Sequence, residues 1–292
     1  MDLLTRLTGT HRALKGWLLA SLLCNMGIIV TGAVVRLTGS GLGCPTWPRC
    51  TADSYVPHGE MGIHGLIEFG NRLLTFVLLA AAIGALVAAY RASSDTALRT
   101  ICWAVLTGIA GQGILGGITV RMQLNPYIVG LHLLGSIALI VGCTWGVLRA
   151  WGWRPVPVGR GQRWLTHAVF WVSMLAIYLG TLVTGSGPHS GDQAADRTGF
   201  DIEYVARLHA LSVWALVGLC VAAWLVFARA GSRQPMRAVS WLFYSLLAQG
   251  GVGYLQYFLG LPVGVVIAHM IGTTVVTVLA AVVLFSNRTG EH

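Results

Sequence analysis

The sequence predicts an all-α integral membrane protein, and its composition is the first reason. Apolar residues make up 55% of the chain and charged residues only 10%, whereas soluble domains carry about 25% charged residues. The mean hydropathy of +0.71 agrees with this class. Two further observations are a series of long apolar runs and an internal repeat. Together they predict eight helices arranged as two pseudo-symmetric four-helix bundles.

The apolar runs predict eight transmembrane helices, since each is close to the roughly 20 residues that a helix needs to cross a bilayer. The first run is longer than the apolar core of a signal peptide and has no small-residue cleavage site, so we expect it to be retained. The spans cover residues 17–36, 64–90, 100–120, 128–149, 164–185, 204–228, 238–258 and 262–285. Residues 151–163 then form a linker between an N-terminal half, 1–150, and a C-terminal half, 164–292.

Basic residues are concentrated on one side of these spans. They lie before span one, after span eight, and in the connections that follow spans two, four and six. By the positive-inside rule, both termini are expected in the cytoplasm. This topology accounts for the formal net charge of +9. The sequence shows no basic surface with interleaved aromatic side chains, so it gives no indication of nucleic-acid binding.

The two halves repeat one another in the same orientation. Span two opens with Ile-Glu-Phe at 67–69 and span six with Ile-Glu-Tyr at 202–204, and each motif is followed by an arginine. Span four contains His-Leu-Leu-Gly at 132–135, and span eight contains His-Met-Ile-Gly at 269–272. An even number of spans in each half makes such a repeat parallel.

Four histidines lie in or at the edge of apolar spans: His64, His132, His209 and His269. An imidazole in hydrocarbon is costly, so intramembrane histidines usually mark a site. His209 and His269 lie at similar depth, and two neutral imidazoles facing each other across a bundle can ligate one haem iron. The alternative is that each ring only forms a hydrogen bond with a neighbouring helix.

In the first half, His132 takes the place of His269, but the spacing does not define its partner. Glu68 and Arg72 are four residues apart and can pair locally, with Asn71 beside them and His64 one turn earlier on the same face. Glu68 then either accepts a proton or holds a polar substrate group, or it is half of an ion pair that anchors the helix end. The same pair recurs in the second half, which supports the second interpretation.

Cys44 and Cys50 lie in the first outer loop, whereas the other four cysteines lie within spans and are expected to pack as small apolar side chains. The outer compartment is oxidising, so a disulfide is permitted. It would be either a structural staple or a redox pair that relays electrons or accepts a metal.

From about residue 15 to 285 the chain resembles haem A synthase. Three segments carry the resemblance together with the histidine helices: Thr-Gly-Ser-Gly…Cys-Pro-x-Trp-Pro-x-Cys at 38–50, Ile-Glu-Phe…Arg at 67–72, and Thr-Gly-Ser-Gly-Pro-His-Ser-Gly-Asp at 184–192. The resemblance implies that the C8 methyl group of haem O is oxidised to a formyl group, giving the haem A of terminal oxidases.

The resemblance also implies roles for individual residues. His209 and His269 would be the axial ligands of a cofactor haem b, which would carry electrons away. His132 would hold the iron of substrate haem O, Glu68 would be catalytic, and the two loop cysteines would form the family's outer pair.

One position departs from the family pattern. Many members carry a second substrate-side histidine three residues after the glutamate, where this chain has Asn71. His64 lies about 10 Å away along the helix axis, at 1.5 Å per residue. Either His132 alone holds the substrate iron, or His64 takes part after a local shift.

Two other classes of protein compete with this interpretation. A bis-histidine membrane cytochrome that exchanges electrons with quinone needs His209 and His269 but has no use for Glu68 or His132. A transporter would suit the parallel repeat, but the polar residues cluster near the outer face rather than the midplane.

As partners we expect haem O, the haem O synthase that delivers it, cytochrome oxidase assembly factors and membrane lipid. The expected location is the bacterial plasma membrane. The sequence leaves open the electron acceptor, the source of oxygen and whether the chain forms a homo-oligomer.

Overall fold

The computed structural model describes residues 9–193 and 195–290, whose regular secondary structure is α-helical apart from one short pair of strands and one 3₁₀ turn, Gly59–Met61. The predicted all-α class is thereby confirmed. The outermost residues of the two predicted halves, 1–8 and 291–292, lie outside the described residues. The elements are α1 (His11–Leu37), α2 (Gly62–Ala92), α3 (Thr96–Arg121), α4 (Pro126–Ala150), β1 (Val156–Val158), α5 (Arg160–Ser186), α6 (Ile202–Arg229), α7 (Arg233–Phe258), α8 (Val263–Phe285) and β2 (Asn287–Thr289).

Polar side chains define the start of several helices. Thr10 accepts a hydrogen bond from the N–H of Ala13 at the start of α1. Asp95 caps α3, and Asn125 caps α4 just before Pro126. Such caps satisfy backbone N–H groups that have no partner inside the helix, and proline suits the first helical position because it lacks an N–H group.

Seven helices, α1 to α6 and α8, are long and apolar enough to cross a membrane, so the chain is a multi-pass membrane protein. The predicted span 238–258 lies inside α7, which forms a helix of 26 residues but is not among these seven. Polar and charged residues reduce the hydropathy of α7, among them Arg233, Arg237, Gln249 and Gln256.

The described chain divides into two compact units. The first contains the residues up to Trp151 together with Thr181–Ile202, and the second contains Gly152–Gly180 together with the residues from Glu203 onward. The chain passes from one unit to the other within α5. The end of α5 and the loop that follows it therefore belong to the first unit.

In the first unit, α1 and α3 each pack against both α2 and α4, so α2 and α4 lie diagonally opposite. We call the end that carries the loop 38–61 the outer end. Small residues allow close helix contact at the other end: a Cβ atom added to Gly84 would lie 2.5 Å from the ring of Trp17. The buried cluster there contains Leu14, Leu18, Ala85, Leu86, Ala88, Ala89, Leu98 and Cys102.

In the second unit, α7 packs against α8, and β1 pairs in parallel with β2. Side chains strengthen this connection: Trp153 Nε1 donates to the Phe285 carbonyl at 3.1 Å, and Arg163 donates to the carbonyl of buried Asn287. These contacts involve the predicted linker, residues 151–163. The segment contains a strand because residues beyond α8 supply its backbone partners, and α5 already begins at Arg160.

Candidate functional site

The side chains of His209 in α6 and His269 in α8 lie close together. Their ring centroids are 6.5 Å apart, and the planes of the rings make an angle of 74°. An imidazole nitrogen binds a metal at about 2 Å, which places two rings on opposite sides of one ion with centroids about 6 Å apart. The observed separation therefore suits a pair of axial ligands with an ion between them.

The orientation of His209 is set by α5. Its Nδ1 atom lies 2.9 Å from the backbone oxygen of Ala176. A carbonyl oxygen only accepts, so Nδ1 carries the proton and Nε2 keeps a free lone pair, as in most metal-binding histidines. One turn later, Gly180 leaves room for the ring, because an added Cβ would lie 3.4 Å from His209 Cε1.

Gln249 of α7 supports His269 from behind. Its Nε2 atom donates to the backbone oxygen of His269 at 2.6 Å, and its side chain occupies the space that a Cβ on Gly272 would fill. Thr273 Oγ1 donates to the same carbonyl at 3.0 Å. The Nδ1 atom of His269 is buried and has no hydrogen-bond partner among the described residues.

His132 of α4 occupies a comparable position in the first unit. Its Nδ1 atom is also buried without a partner in the described part of the chain. A Cβ on Gly116 of α3 would lie 3.3 Å from its Cε1, so the ring lies directly against that helix. The helix of His132 is diagonal to α2, which carries Glu68 and Asn71.

Two glutamines that were not among the predicted site residues recur beside these histidines. Gln112 occupies the space of a Cβ on Gly135, as Gln249 does for Gly272. Their spacing in the sequence could have revealed them. Gln112 and Gln249 are 137 residues apart, and so are the two histidines that they accompany.

Glu68 is buried, with 5% of the residue exposed, and its carboxylate faces the loop 38–61, which contains Cys44 and Cys50 and is called the disulfide loop below. Oε2 accepts from the N–H of Cys44, and Oε1 accepts from Arg72 Nη2 at 2.5 Å and Nε at 3.1 Å. Arg72 also donates to the carbonyls of Cys44 and Arg49, at 2.9 and 3.3 Å. Glu68 and Arg72 therefore form hydrogen bonds with the backbone of the loop as well as with each other.

The repeated pair in the second half has different surroundings. Arg207 and Glu203 lie 3.1 Å apart, but their side chains are 76% and 63% exposed, against 20% and 7% for Arg72 and Glu68. The two pairs share the same local spacing and differ in burial. The structure thus makes the first pair a buried contact and the second a surface contact.

Cys44 and Cys50 form the predicted disulfide, and both are fully buried. Their loop packs on α2 and α3. A Cβ on Gly43 would lie 2.3 Å from the His64 carbonyl oxygen, and one on Gly117 would lie 2.2 Å from the Trp47 ring. The loop is therefore fixed over the outer ends of both helices, as a staple requires.

His64 and Asn71 have separate partners. His64 is exposed at the start of α2, and its Nδ1 lies 2.9 Å from the hydroxyl of Ser40. The Asn71 side-chain oxygen accepts from Thr31 Oγ1 of α1 at 2.7 Å, which directs its oxygen toward α1.

The chain is similar in sequence to one protein family and to several individual proteins. A family model described as cytochrome oxidase assembly protein (COX15-CtaA) matches residues 15–189. "Heme A synthase" of Listeria monocytogenes serotype 4a is 25% identical over 305 residues, covering 96% of this chain and 97% of its own length. The protein of the same name from Lysinibacillus sphaericus is 29% identical over 181 residues, covering 59% and 58%. Since the family match spans more than half of the 292 residues, the chain belongs to the cytochrome oxidase assembly protein family.

Proposed function

We propose that this protein is a haem A synthase, which oxidises the C8 methyl group of haem O to a formyl group. Family membership and the name shared by its relatives support this activity. The observation that carries it within the chain is the presence of two histidine sites. An electron-transfer cytochrome requires only the pair at His209 and His269, whereas a synthase also needs a place for substrate such as His132.

His209 and His269 would hold the cofactor haem b as axial ligands. The ring separation and the protonated Nδ1 of His209, which leaves its Nε2 free, support this assignment. When bound, the haem supplies one-electron redox chemistry. The chain itself orients both rings through Ala176 and Gln249.

His132 would be the protein ligand of the substrate iron. Asn71 stands where many family members have a second histidine, and Thr31 holds its side-chain oxygen, so its amide group is left to donate. We therefore assign the substrate one histidine ligand from α4 and a polar group from α2, the helix on the other side of the bundle. His64 is exposed at the start of α2 and is not assigned to the iron.

Glu68 would accept a proton as the methyl group is oxidised. Its burial in the first unit supports such a role, because loss of contact with water favours the protonated, neutral carboxyl group. The same carboxylate binds the backbone of Cys44, so proton transfer at Glu68 would be coupled to the position of the outer loop. A redox role for the disulfide stays a prediction.

We also propose that α7 crosses the membrane, which gives eight spans in two four-helix bundles. Its 26 residues are about 39 Å long at 1.5 Å per residue. The connections to α6 and α8 are only residues 230–232 and 259–262, which are too short to return the chain to the starting face outside the bilayer. Both termini would then lie in the cytoplasm of a bacterium.

The test is extraction and chromatography of haems from protein co-expressed with a source of haem O. Haem A beside haem b supports the synthase. Haem b alone, with haem O present but unconverted, supports the bis-histidine cytochrome. Protein without any pigment would favour a transporter. Haem O synthase and oxidase assembly factors are the proposed partners, to be sought by copurification.

A further inference from the structure

Two arginines lie near each other at the outer end of the first unit. Arg36 is in the last turn of α1, and Arg197 is in the loop 187–201 that follows α5. The loop lies directly on the end of α1: the N–H of Gly41 donates to the Gly191 carbonyl at 2.8 Å, and a Cβ on Gly191 would lie 3.5 Å from Arg36 Cγ. The loop therefore packs on the end of α1, and the charges of Arg36 and Arg197 are close enough to interact.

Backbone carbonyls are the hydrogen-bond acceptors of both guanidinium groups. Arg36 donates to Thr184 at 3.4 Å, and Arg197 donates to Pro188 at 2.8 Å and to Ala195 at 3.4 Å. The ion pairs seen in residues 9–193 and 195–290 belong to three other arginines. Each guanidinium has five N–H donors, so several donors of this pair can serve a ligand.

His189 lies close to the same two arginines. Burial lowers its pKa, and the charges of Arg36 and Arg197 lower it further, as expected for a basic group that approaches two cations. Asp192 and Asp196 belong to the same loop, so a ligand here competes with two carboxylates. It must offer negative charge and good hydrogen-bond geometry.

The arginines lie at a level along the helix axes that the side groups of a substrate haem could reach from His132. His132 is six residues, or about 9 Å, from the start of α4 at Pro126. Gly185, next to the carbonyl that Arg36 contacts, lies against Pro126, since an added Cβ would be 3.0 Å from Pro126 Cβ. A porphyrin held by its iron at His132 would therefore reach this level with side groups that point outward.

We propose that Arg36 and Arg197 bind the propionate carboxylates of the substrate haem. This inference rests on the function proposed above. A guanidinium group suits a carboxylate because it can donate two parallel hydrogen bonds to the two carboxylate oxygens. Two arginines could therefore bind two propionates. Anchored propionates would fix the rotation of the porphyrin about the bond from His132 to iron. The C8 methyl is next to a propionate-bearing carbon, so its position would be fixed as well.

The test compares two probes, iron protoporphyrin IX and its dimethyl ester, which lacks both carboxylate charges. Each is titrated into full-length protein that retains the haem of its second unit, and binding is followed by the change in the Soret band. We expect the wild type to favour the free acid by about tenfold or more. Arg36→Gln and Arg197→Gln should lose that preference and keep the affinity for the ester.

Arg49→Gln is the matched control. Arg49 is an exposed arginine of the disulfide loop that donates to the Ala52 carbonyl at 3.0 Å, and its loss should leave the preference intact. Arg36→Lys should retain part of it. The His132→Ala variant should lose the titration signal, which locates the signal in the first unit. An unaltered second-unit Soret band reports correct folding, and exposed Arg197 provides the test if Arg36→Gln does not fold.

Two results would overturn the proposal. One is an unchanged preference in both arginine variants, and the other is an equal loss of affinity for acid and ester. Anionic lipid headgroups are another possible ligand of these arginines, so lipid binding is measured in nanodiscs of neutral and of anionic phospholipid. Variants that lose bound anionic lipid but keep the acid preference would assign the arginines to lipid and refute the proposal. Failure of the proposed function would give a different result from failure of this inference. In that case the wild type would convert no haem O, although its preference for the free acid would persist.

Discussion

Replacement of Glu68 provides a sharp test of how the buried ion pair acts. Glu68→Ala removes the acceptor of the Cys44 N–H and of two donors on Arg72. Hydrogen bonds to charged groups are worth about 1.5–3 kcal/mol, and loss of one partner of a fully buried pair costs about 3–5 kcal/mol. Because 20% of the Arg72 side chain is exposed and water can partly replace the carboxylate, we expect a cost of about 2–3 kcal/mol.

The second unit contains the matched control. Glu203→Ala breaks the same i,i+4 pair at an exposed site, where such pairs contribute about 0.5 kcal/mol or less. Thermal unfolding in detergent should therefore show a drop in Tm of about 5 °C or more for Glu68→Ala and a much smaller drop for Glu203→Ala. Equal drops in Tm would refute the claim that burial by the disulfide loop distinguishes the two pairs.

The same variants separate the structural role of Glu68 from its chemical role. Glu68→Gln retains an oxygen that can accept from the N–H of Cys44 but loses the charge and the proton-accepting carboxylate. If Glu68 is catalytic, both Glu68→Gln and Glu68→Ala should keep the haem b spectrum and abolish haem A production. Full haem A production by Glu68→Gln would exclude proton acceptance by this residue.

Three further outcomes are expected. His132→Ala should keep the haem b Soret band and lose haem O conversion, whereas His269→Ala should lose that band; loss of the band in both would count against separate sites. Gln249→Leu should reduce the haem b content, because it removes the donor to the His269 carbonyl, and a normal content measured by pyridine haemochrome would contradict this. The hydrogen bond from Arg149 holds the pKa of Asp95 below its usual value, so its contribution to stability is present above about pH 4 and disappears as the pH falls through the folded-state pKa; Asp95→Asn should lower Tm at pH 7, and the difference from the wild type should shrink as the pH falls below about 4.

The membrane class and most helices were predictable because they depend on local composition. A run of about 20 apolar residues is sufficient to predict a span, and seven of the eight predicted runs correspond to helices that can cross a membrane. The boundaries were less accurate, since they depend on capping contacts such as those of Thr10 and Asn125. The strand at Val156–Val158 was missed because its partner lies beyond α8, far away in the sequence.

Within the site, the repeat identified the histidines, and the structure adds what supports them. His209 and His269 were predicted to face one another, and their rings are 6.5 Å apart. The contact of His209 with Ala176 was not predictable, because a backbone carbonyl has no signature in the sequence. Gln249 could have been found from its spacing to Gln112.

The sequence by itself determined the membrane class, the helices, the candidate histidines and a cysteine pair suited to a disulfide. Only the tertiary structure decided which of two equivalent Glu–Arg pairs is buried. An i,i+4 pair depends on residues in one helix turn, so Glu68–Arg72 and Glu203–Arg207 look alike in the sequence. Burial depends on segments that are distant along the chain, and at Glu68 the loop of Cys44 folds back onto α2 and removes the carboxylate from solvent.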